Sequence, residues 1–465
     1  MPLRHFASVK RQASRIIADW KDKPIGEKVD FLGKAYVAGN KAYAENEEAK
    51  KDIGKINMQI YAKDLSVWDL YKTTRQWSLD YFETIYKRVG SHYDRYYFES
   101  EVYESGKKNV LNGLEKGIFI KSDGAIIFPG EKFGLHNRVF ITSEVNATYE
   151  GKDMGLGPLQ FSEYHPDLII HVVGPEQASY FQVVFEALAQ LFPETRGKEY
   201  HLIYGWVKLK HGKMSSRSGN VVLGEWLIEE AKEKIYNILE KSRSKDNKNG
   251  QPASVRQLAD SGEAREEIAE KAAIAAVKYS FLKVSTQQQI SFDIEESVSF
   301  EGDSGPYLQY TYARARSVLR KADTKREASS GKREENNASS PLLSLSGGIG
   351  GVILNIEEKE VLRMLYKFPE IVSSAAVTYS PSVVCKYLYE LASAFNTFYN
   401  KHSILGAAKE VQSSKFKVQS NEAKGLAMKQ FSNETTNFRL FLTAATAQVL
   451  KNGLYLLGIE TLERM

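Results

Sequence analysis

The sequence predicts an α/β protein, a doubly wound body in its first half followed by a smaller all-α domain. Three observations carry that expectation. Asp167-Leu168-Ile169-Ile170-His171-Val172-Val173 is a continuous apolar run of the kind found in buried parallel strands, and Gly174-Pro175 ends it before a helical pattern from about Gln177 to Leu191. A strand-like run from Tyr200 to Val207, a loop, and an amphipathic helical pattern from Leu223 to Leu239 then follow in order. Strand, turn, helix, strand, loop and helix is the order of a Rossmann-type nucleotide-binding fold, whose ligands sit beyond the carboxyl ends of the strands. Beyond a low-complexity stretch at 323–351, with Ser329-Ser330-Gly331 and Gly347-Gly348-Ile349-Gly350-Gly351, only helical periodicity remains.

Taken in order, residues 26–95 read as helices, because Tyr61, Leu65, Trp68 and Tyr71, and then Leu79, Phe82 and Tyr86, recur at spacings of three and four. These aromatics are expected in a core. A helix around Asn109 to Leu114 precedes short strand-like runs, Gly124 to Phe128 and Arg138 to Thr142, broken by Gly and Pro. Glu267 to Val284 is an alanine-rich helix suited to close packing, and helical segments return at Glu357–Phe368, Pro381–Tyr399 and Phe438–Leu457. In the second of these, Val384, Tyr387, Leu388, Leu391, Phe395, Phe398 and Tyr399 form an apolar stripe. The resulting division is 1–240 for a partial nucleotide-binding body, 241–322 for a helical connection, 323–351 for a flexible insertion and 352–465 for the helical domain.

Composition narrows the class. A chain of 465 residues with 42% hydrophobic and 26% charged side chains buries a large core and is not disordered overall. Its 63 basic and 58 acidic residues leave a net charge of +5, which permits a nucleic-acid face without demanding one. Cys385 is the only cysteine, so no intramolecular disulfide and no Cys-x-x-Cys zinc pair exists; with the histidines scattered, no bound transition metal is expected. No apolar run reaches the roughly 18 residues a membrane helix needs. A reducing, cytoplasmic setting without membrane contact is the expectation.

Chemistry concentrates in three places. The loop from Lys208 to Asn220 holds four cations, three serines and two glycines, a donor-rich composition able to close on a polyphosphate; a solvated hairpin turn is the competing reading. It lacks P-loop glycine spacing. Tyr149 and Asp153 stand four apart, which places phenol and carboxylate on one helical face, either as a ligand pair or as a packing tyrosine and a helix-start acid. Gln177 either caps the helix after Gly174-Pro175 or points into the ligand crevice. Finally Gly305-Pro306 starts a helix with Tyr307, Tyr310, Tyr312, Arg314 and Arg316, suited to phosphate and sugar contacts or to interdomain packing.

Lys213-Met214-Ser215-Ser216-Arg217 resembles the Lys-Met-Ser-Lys-Ser signature of class I aminoacyl-tRNA synthetases, with serine in place of the second lysine. The block Gly302 to Lys321, which contains Gly305-Pro306-Tyr307-Leu308-Gln309-Tyr310, and the closing run Gln448 to Met465 are similar to arginyl-tRNA synthetases in particular. That resemblance implies an arginine-tRNA ligase: ATP, carrying Mg²⁺, and arginine form arginyl-adenylate, and the arginyl group passes to an arginine-accepting tRNA. Lys213, Ser215, Ser216 and Arg217 would then act on the triphosphate, and Gly174, Lys213 and Met214 would bind ATP. Tyr149, Asp153 and Gln177 stand where the family binds arginine, since a carboxylate pairs a guanidinium bidentately. The last domain would be the helical anticodon-binding module, with Tyr307, Gln309, Tyr310, Arg314, Tyr399 and Asn400 as tRNA contacts, and a monomer is expected. The His-Ile-Gly-His type motif of the class is absent, so the chain resembles the carboxyl-terminal part of a synthetase. A split enzyme with a separate amino-terminal half, or a non-enzymatic tRNA-binding fragment, are the alternatives this raises.

Overall fold

The computed structural model describes residues 2–210, 224–246, 262–330, 354–405 and 421–464. They fall into two units, one up to Tyr204 and one from Gly205 onward.

The first unit opens with four helices, α1 (Pro2–Trp20), α2 (Ile25–Glu45), α3 (Glu47–Tyr61) and α4 (Trp68–Arg88). Asn46 separates α2 from α3, and its side chain accepts from the Glu48 and Ala49 N–H groups at 2.9 and 3.0 Å, satisfying two donors at the start of α3. The aromatic stripes expected in a core are only thinly covered. Trp77 is buried, but Tyr61, Leu65 and Phe82 are 46%, 66% and 46% exposed. Neither α2 nor α3 buries a residue, so the three-and-four stripes here meet neighbouring helices without a closed interior.

Helix α5 (Glu99–Glu115) then packs against α6 (Tyr149–Tyr164) through glycines. A Cβ on Gly106 would stand 2.2 Å from the Gly151 carbonyl oxygen, and one on Gly155 would stand 2.5 Å from that of Val102. Only a residue without a side chain permits that backbone approach. Between the two helices lies an antiparallel sheet of β1 (Ile120–Ser122), β2 (Ala125–Phe128) and β3 (Arg138–Ile141), in that order. Asp123-Gly124, with φ of 47° and 79°, makes the two-residue turn joining β1 to β2. Phe119, Phe128 and Phe140, with ring centroids 4.9 to 6.2 Å apart, form the core of this unit with Met154, Val184 and Leu188.

The expected parallel pair is present as β4 (Ile169–Val173) and β5 (Glu199–Ile203), joined through α7 (Ala178–Leu191) and in register from Ile169↔Glu199 to Val173↔Ile203. The run from Tyr200 to Val207, read as one strand, is two: β5 pairs with β4, while β6 (Val207–Leu209) belongs to the second unit and pairs in parallel with β7 (Ile290–Phe292). Nor is β4 buried on both sides. His171 faces Phe181 and Phe185 of α7, whereas Ile170 and Val172 on the other face are 40% and 60% exposed.

In the second unit, α8 (Gly224–Asp246), α9 (Gly262–Leu282), a short α10 (Ile294–Ser297), α11 (Gly305–Ser330), α12 (Ile356–Val377), α13 (Pro381–Lys401) and α14 (Asn421–Leu456) follow one another. Residues 323–330, assigned from sequence to an insertion, continue α11; the rest of that insertion lies outside the described residues. The boundary expected at 352 is not a boundary in packing. Ala275 and Tyr279 of α9 and Leu308, Tyr312 and Val318 of α11 share one core with Val361, Leu388, Phe395, Leu442 and Leu450 of the last three helices. A Cβ on Gly305 would lie 2.3 Å from the Ala275 carbonyl oxygen, so α11 starts directly against α9. Buried Glu358, in the capping box of α12, also pairs with Arg439 Nε of α14 at 2.8 Å.

Candidate active site

His171 of β4, the start of α7 and the first turns of α6 meet around Asp153. Thr148 caps α6, its Oγ1 accepting from the Gly151 N–H at 3.3 Å, and this fixes the first turn that carries Tyr149, Lys152 and Asp153. Asp153 Oδ2 accepts from the Tyr180 hydroxyl at 2.5 Å. Burial pushes the Asp153 carboxyl up to about 6; the Tyr180 hydrogen bond and His171 pull it down, and Glu150 and Glu199 push it up. Burial, together with the Asp153 charge, drives the Tyr180 phenol well above its ordinary range, so it stays a donor. Tyr149 is 67% exposed and Asp153 is partly buried, so the predicted pair shares a helix turn but spans from the surface inward. Lys152, buried beside them, pairs with Glu99 and sits over the Tyr149 ring at 5.0 Å and the Tyr61 ring at 5.7 Å.

Around this centre lie residues the sequence did not single out. Arg138 of β3 binds Glu150 Oε1 at 3.0 Å, donates to Ser179 Oγ at 2.9 Å, and places its guanidinium 5.6 Å from the Tyr180 ring centroid. His171 Nε2 stands 3.5 Å from Glu199 Oε1 without a hydrogen bond, and Gln160 Oε1 is likewise unpartnered. Asp153, Gln160, His171, Phe181 and Glu199 line a cavity of about 10 Å³, room for a single water among polar groups that want one. Gln177 ends a 3₁₀ turn at the head of α7, partly buried, and its backbone N–H donates to the Gly174 carbonyl at 3.2 Å. A Cβ at Gly174 would meet the Glu176 carboxylate at 2.5 Å. Lys213, Met214, Ser215, Ser216 and Arg217 lie outside the described residues.

The Tyr180 hydroxyl takes one oxygen of this desolvated carboxylate and leaves the other as an acceptor for a further donor. The family model for the catalytic domain of class I tRNA synthetases (R) matches residues 17–294, and that for the DALR anticodon-binding domain matches 308–465. The chain belongs to the class I arginyl-tRNA synthetase family. It is 32% identical over 456 residues to an arginine–tRNA ligase of Flavobacterium psychrophilum, covering 94% of this chain and 66% of that one. A Treponema denticola arginine–tRNA ligase is 35% identical over 378 residues, 81% of this chain and 60% of its own. The chain thus spans about two thirds of the length of these relatives, or less. In structure it resembles Thermus thermophilus arginyl-tRNA synthetase (TM-score 0.69, 24% identity, 99% of this chain and 74% of that). It also resembles the Plasmodium falciparum arginyl-tRNA synthetase, with TM-score 0.64, 18% identity, and coverage of 90% and 62%.

In this member of the family the candidate tRNA residues separate by exposure. Tyr310 and Asn400 are exposed. Arg314 is partly buried, stacked between the Tyr310 and Tyr399 rings at 4.7 and 5.1 Å, and its Nη1 donates to Asn396. Tyr307, partly buried, accepts from Asn396 Nδ2 at 3.0 Å. Gln309 is a correction: it is fully buried, and its amide donates to the Glu460 carbonyl at 2.7 Å, so it pins the chain's end to α11 and is closed to nucleic acid. The tyrosine content of α11 was legible in the sequence, but which tyrosines face inward was not: Tyr312 is buried, Tyr307 partly buried and Tyr310 exposed.

Proposed function

We propose that these residues form the arginine-binding body and the tRNA-recognition helices of an arginine–tRNA ligase. The observation that carries this reading is Asp153, a desolvated carboxylate in the first turns of α6, in a chain about a third identical to proteins named arginine–tRNA ligases. Arginine's guanidinium pairs Asp153, with Tyr149 and Gln177 beside it. ATP enters as its Mg²⁺ complex and meets Gly174, Lys213 and Met214; Ser215, Ser216 and Arg217 supply donors to the triphosphate as arginyl-adenylate and pyrophosphate form. Catalysis by such a site is positioning and charge stabilisation, with no covalent enzyme intermediate. Tyr307, Tyr310, Arg314, Tyr399 and Asn400 serve the tRNA, where aromatic faces and a cation suit bases and phosphates. A monomer working in the cytoplasm fits this role; among the described residues no helix is long and apolar enough to cross a membrane.

The exposed face of β4 at Ile170 and Val172 supports one addition, a covering element, which a separate amino-terminal half would supply. The test is arginine-dependent ATP–pyrophosphate exchange, with tRNA present. No exchange is expected from the 465 residues alone, and exchange is expected once an amino-terminal segment bearing the missing motif is supplied. Robust exchange by the single chain would overturn the need for that element. No exchange from the combination would overturn the ligase reading in favour of a tRNA-binding protein.

A further inference from the structure

We propose that Tyr180 is a positioning residue for the arginine site: its hydroxyl holds Asp153 Oδ2, and the Arg138 guanidinium above its ring and bound to Ser179 holds Tyr180, so the carboxylate meets its substrate in one orientation and ionised. This rests on the assignment of Asp153 to arginine made above.

The geometry is a relay of three elements. Arg138 on β3 reaches Glu150 on α6 at 3.0 Å and Ser179 on α7 at 2.9 Å, and its cationic plane covers Tyr180 at 5.6 Å. Tyr180 in turn reaches back to α6 at 2.5 Å. A buried carboxylate without a donor would shed its charge as a proton is taken up, and an uncharged carboxyl gives a guanidinium little to pair with. The groups facing Asp153 do not replace Tyr180. Glu150 on α6 and Glu199 on β5 favour its protonation, and His171 on β4 opposes it. Lys152, the adjacent cation on α6, is bound to Glu99 of α5. Arg138 is paired with Glu150. Tyr180 is therefore the group that donates directly to the charged form. Its ring also meets Phe181 edge-on at 5.1 Å, a contact that a phenylalanine would keep.

The experiment follows the Asp153 carboxyl by ¹³C NMR in the full chain labelled at aspartate, the signal assigned by its loss in Asp153→Asn. In Tyr180→Phe, without arginine, the Asp153 midpoint is expected to rise by about one pH unit or more, a tenfold or greater loss of the ionised form's advantage. An unchanged or lower midpoint overturns the proposal. Should Tyr180→Phe fail to fold, the unsubstituted chain labelled at the tyrosine ζ-carbon gives the answer. The Tyr180 signal must then move with the same midpoint as Asp153, and an independent or flat Tyr180 signal contradicts the relay. Added arginine separates the two readings, because it lowers the Asp153 midpoint if it binds there. A midpoint indifferent to saturating arginine overturns the arginine assignment, while the titrations without arginine still decide the part of Tyr180.

Discussion

Asp153, in the role proposed for it, meets two opposed demands: the fold would hold it more easily protonated, and a guanidinium partner would require it charged. Its midpoint of about 6 lies above the ordinary 3.8, so between those values the folded chain binds the proton more tightly than the unfolded one. The sign follows: stability falls as pH rises through that window and remains lower above it. Asp153→Asn, which keeps an oxygen for the Tyr180 hydroxyl, is therefore expected to raise stability at pH 7.5 by on the order of 2–3 kcal/mol and to change little below pH 4. Urea denaturation at the two pH values checks it, and equal effects at both would show that burial is not what raises this carboxyl. At this scale the sequence told half. Spacing and turn chemistry, which are local, single out Tyr149, Asp153 and Gln177 without choosing between packing and ligand roles; only the family resemblance made them arginine candidates. Tyr180 and Arg138 were not, since they act on residues 27 and 41 positions away, a separation no periodicity records.

Among the elements, α6 is aimed by its back rather than its front. Gly106 of α5 and its own Gly155 let it lie against α5 at backbone distance, and the side chain of Asn109 ties the two helices by donating to the Met154 carbonyl at 2.8 Å. A methyl on Gly155 would meet the Val102 carbonyl oxygen, Ser105 Oγ and the Gly106 nitrogen at 2.5 to 2.7 Å. Two of those three are backbone and cannot swing away. Gly155→Ala is accordingly expected to cost about 1–3 kcal/mol by denaturant unfolding and to weaken arginine binding, because the helix that presents Asp153 must shift. A neutral change in both would mean that α5 and α6 yield at no cost. The Asp123-Gly124 hairpin turn was open to reading from the dipeptide alone. The exposure of the α1–α4 aromatics was not, because a stripe at helical spacing says that something covers it without saying how much.

For the whole molecule, the parallel strand–helix–strand order around α7 and the run of helices in the second half were both visible in the sequence, whereas the family models meet between 294 and 308, not at the divisions read at 240 and 352. What patterning missed is where packing is continuous. The helices α9 and α11 look like a connection in sequence, yet Tyr279, buried against Asp303 and the Cys385 carbonyl, belongs to the same interior as α13. Apolar stripes show that a helix packs; they do not name its neighbour.

The most direct test of the account compares arginine and tRNA binding by isothermal calorimetry in the complete enzyme, for unsubstituted protein and Asp153→Ala. Stranding a guanidinium without its buried carboxylate costs roughly 2–5 kcal/mol, so arginine affinity is expected to fall at least about thirtyfold with tRNA affinity unchanged. Unchanged arginine affinity, or equal losses for both ligands, would contradict the assignment of this site to arginine.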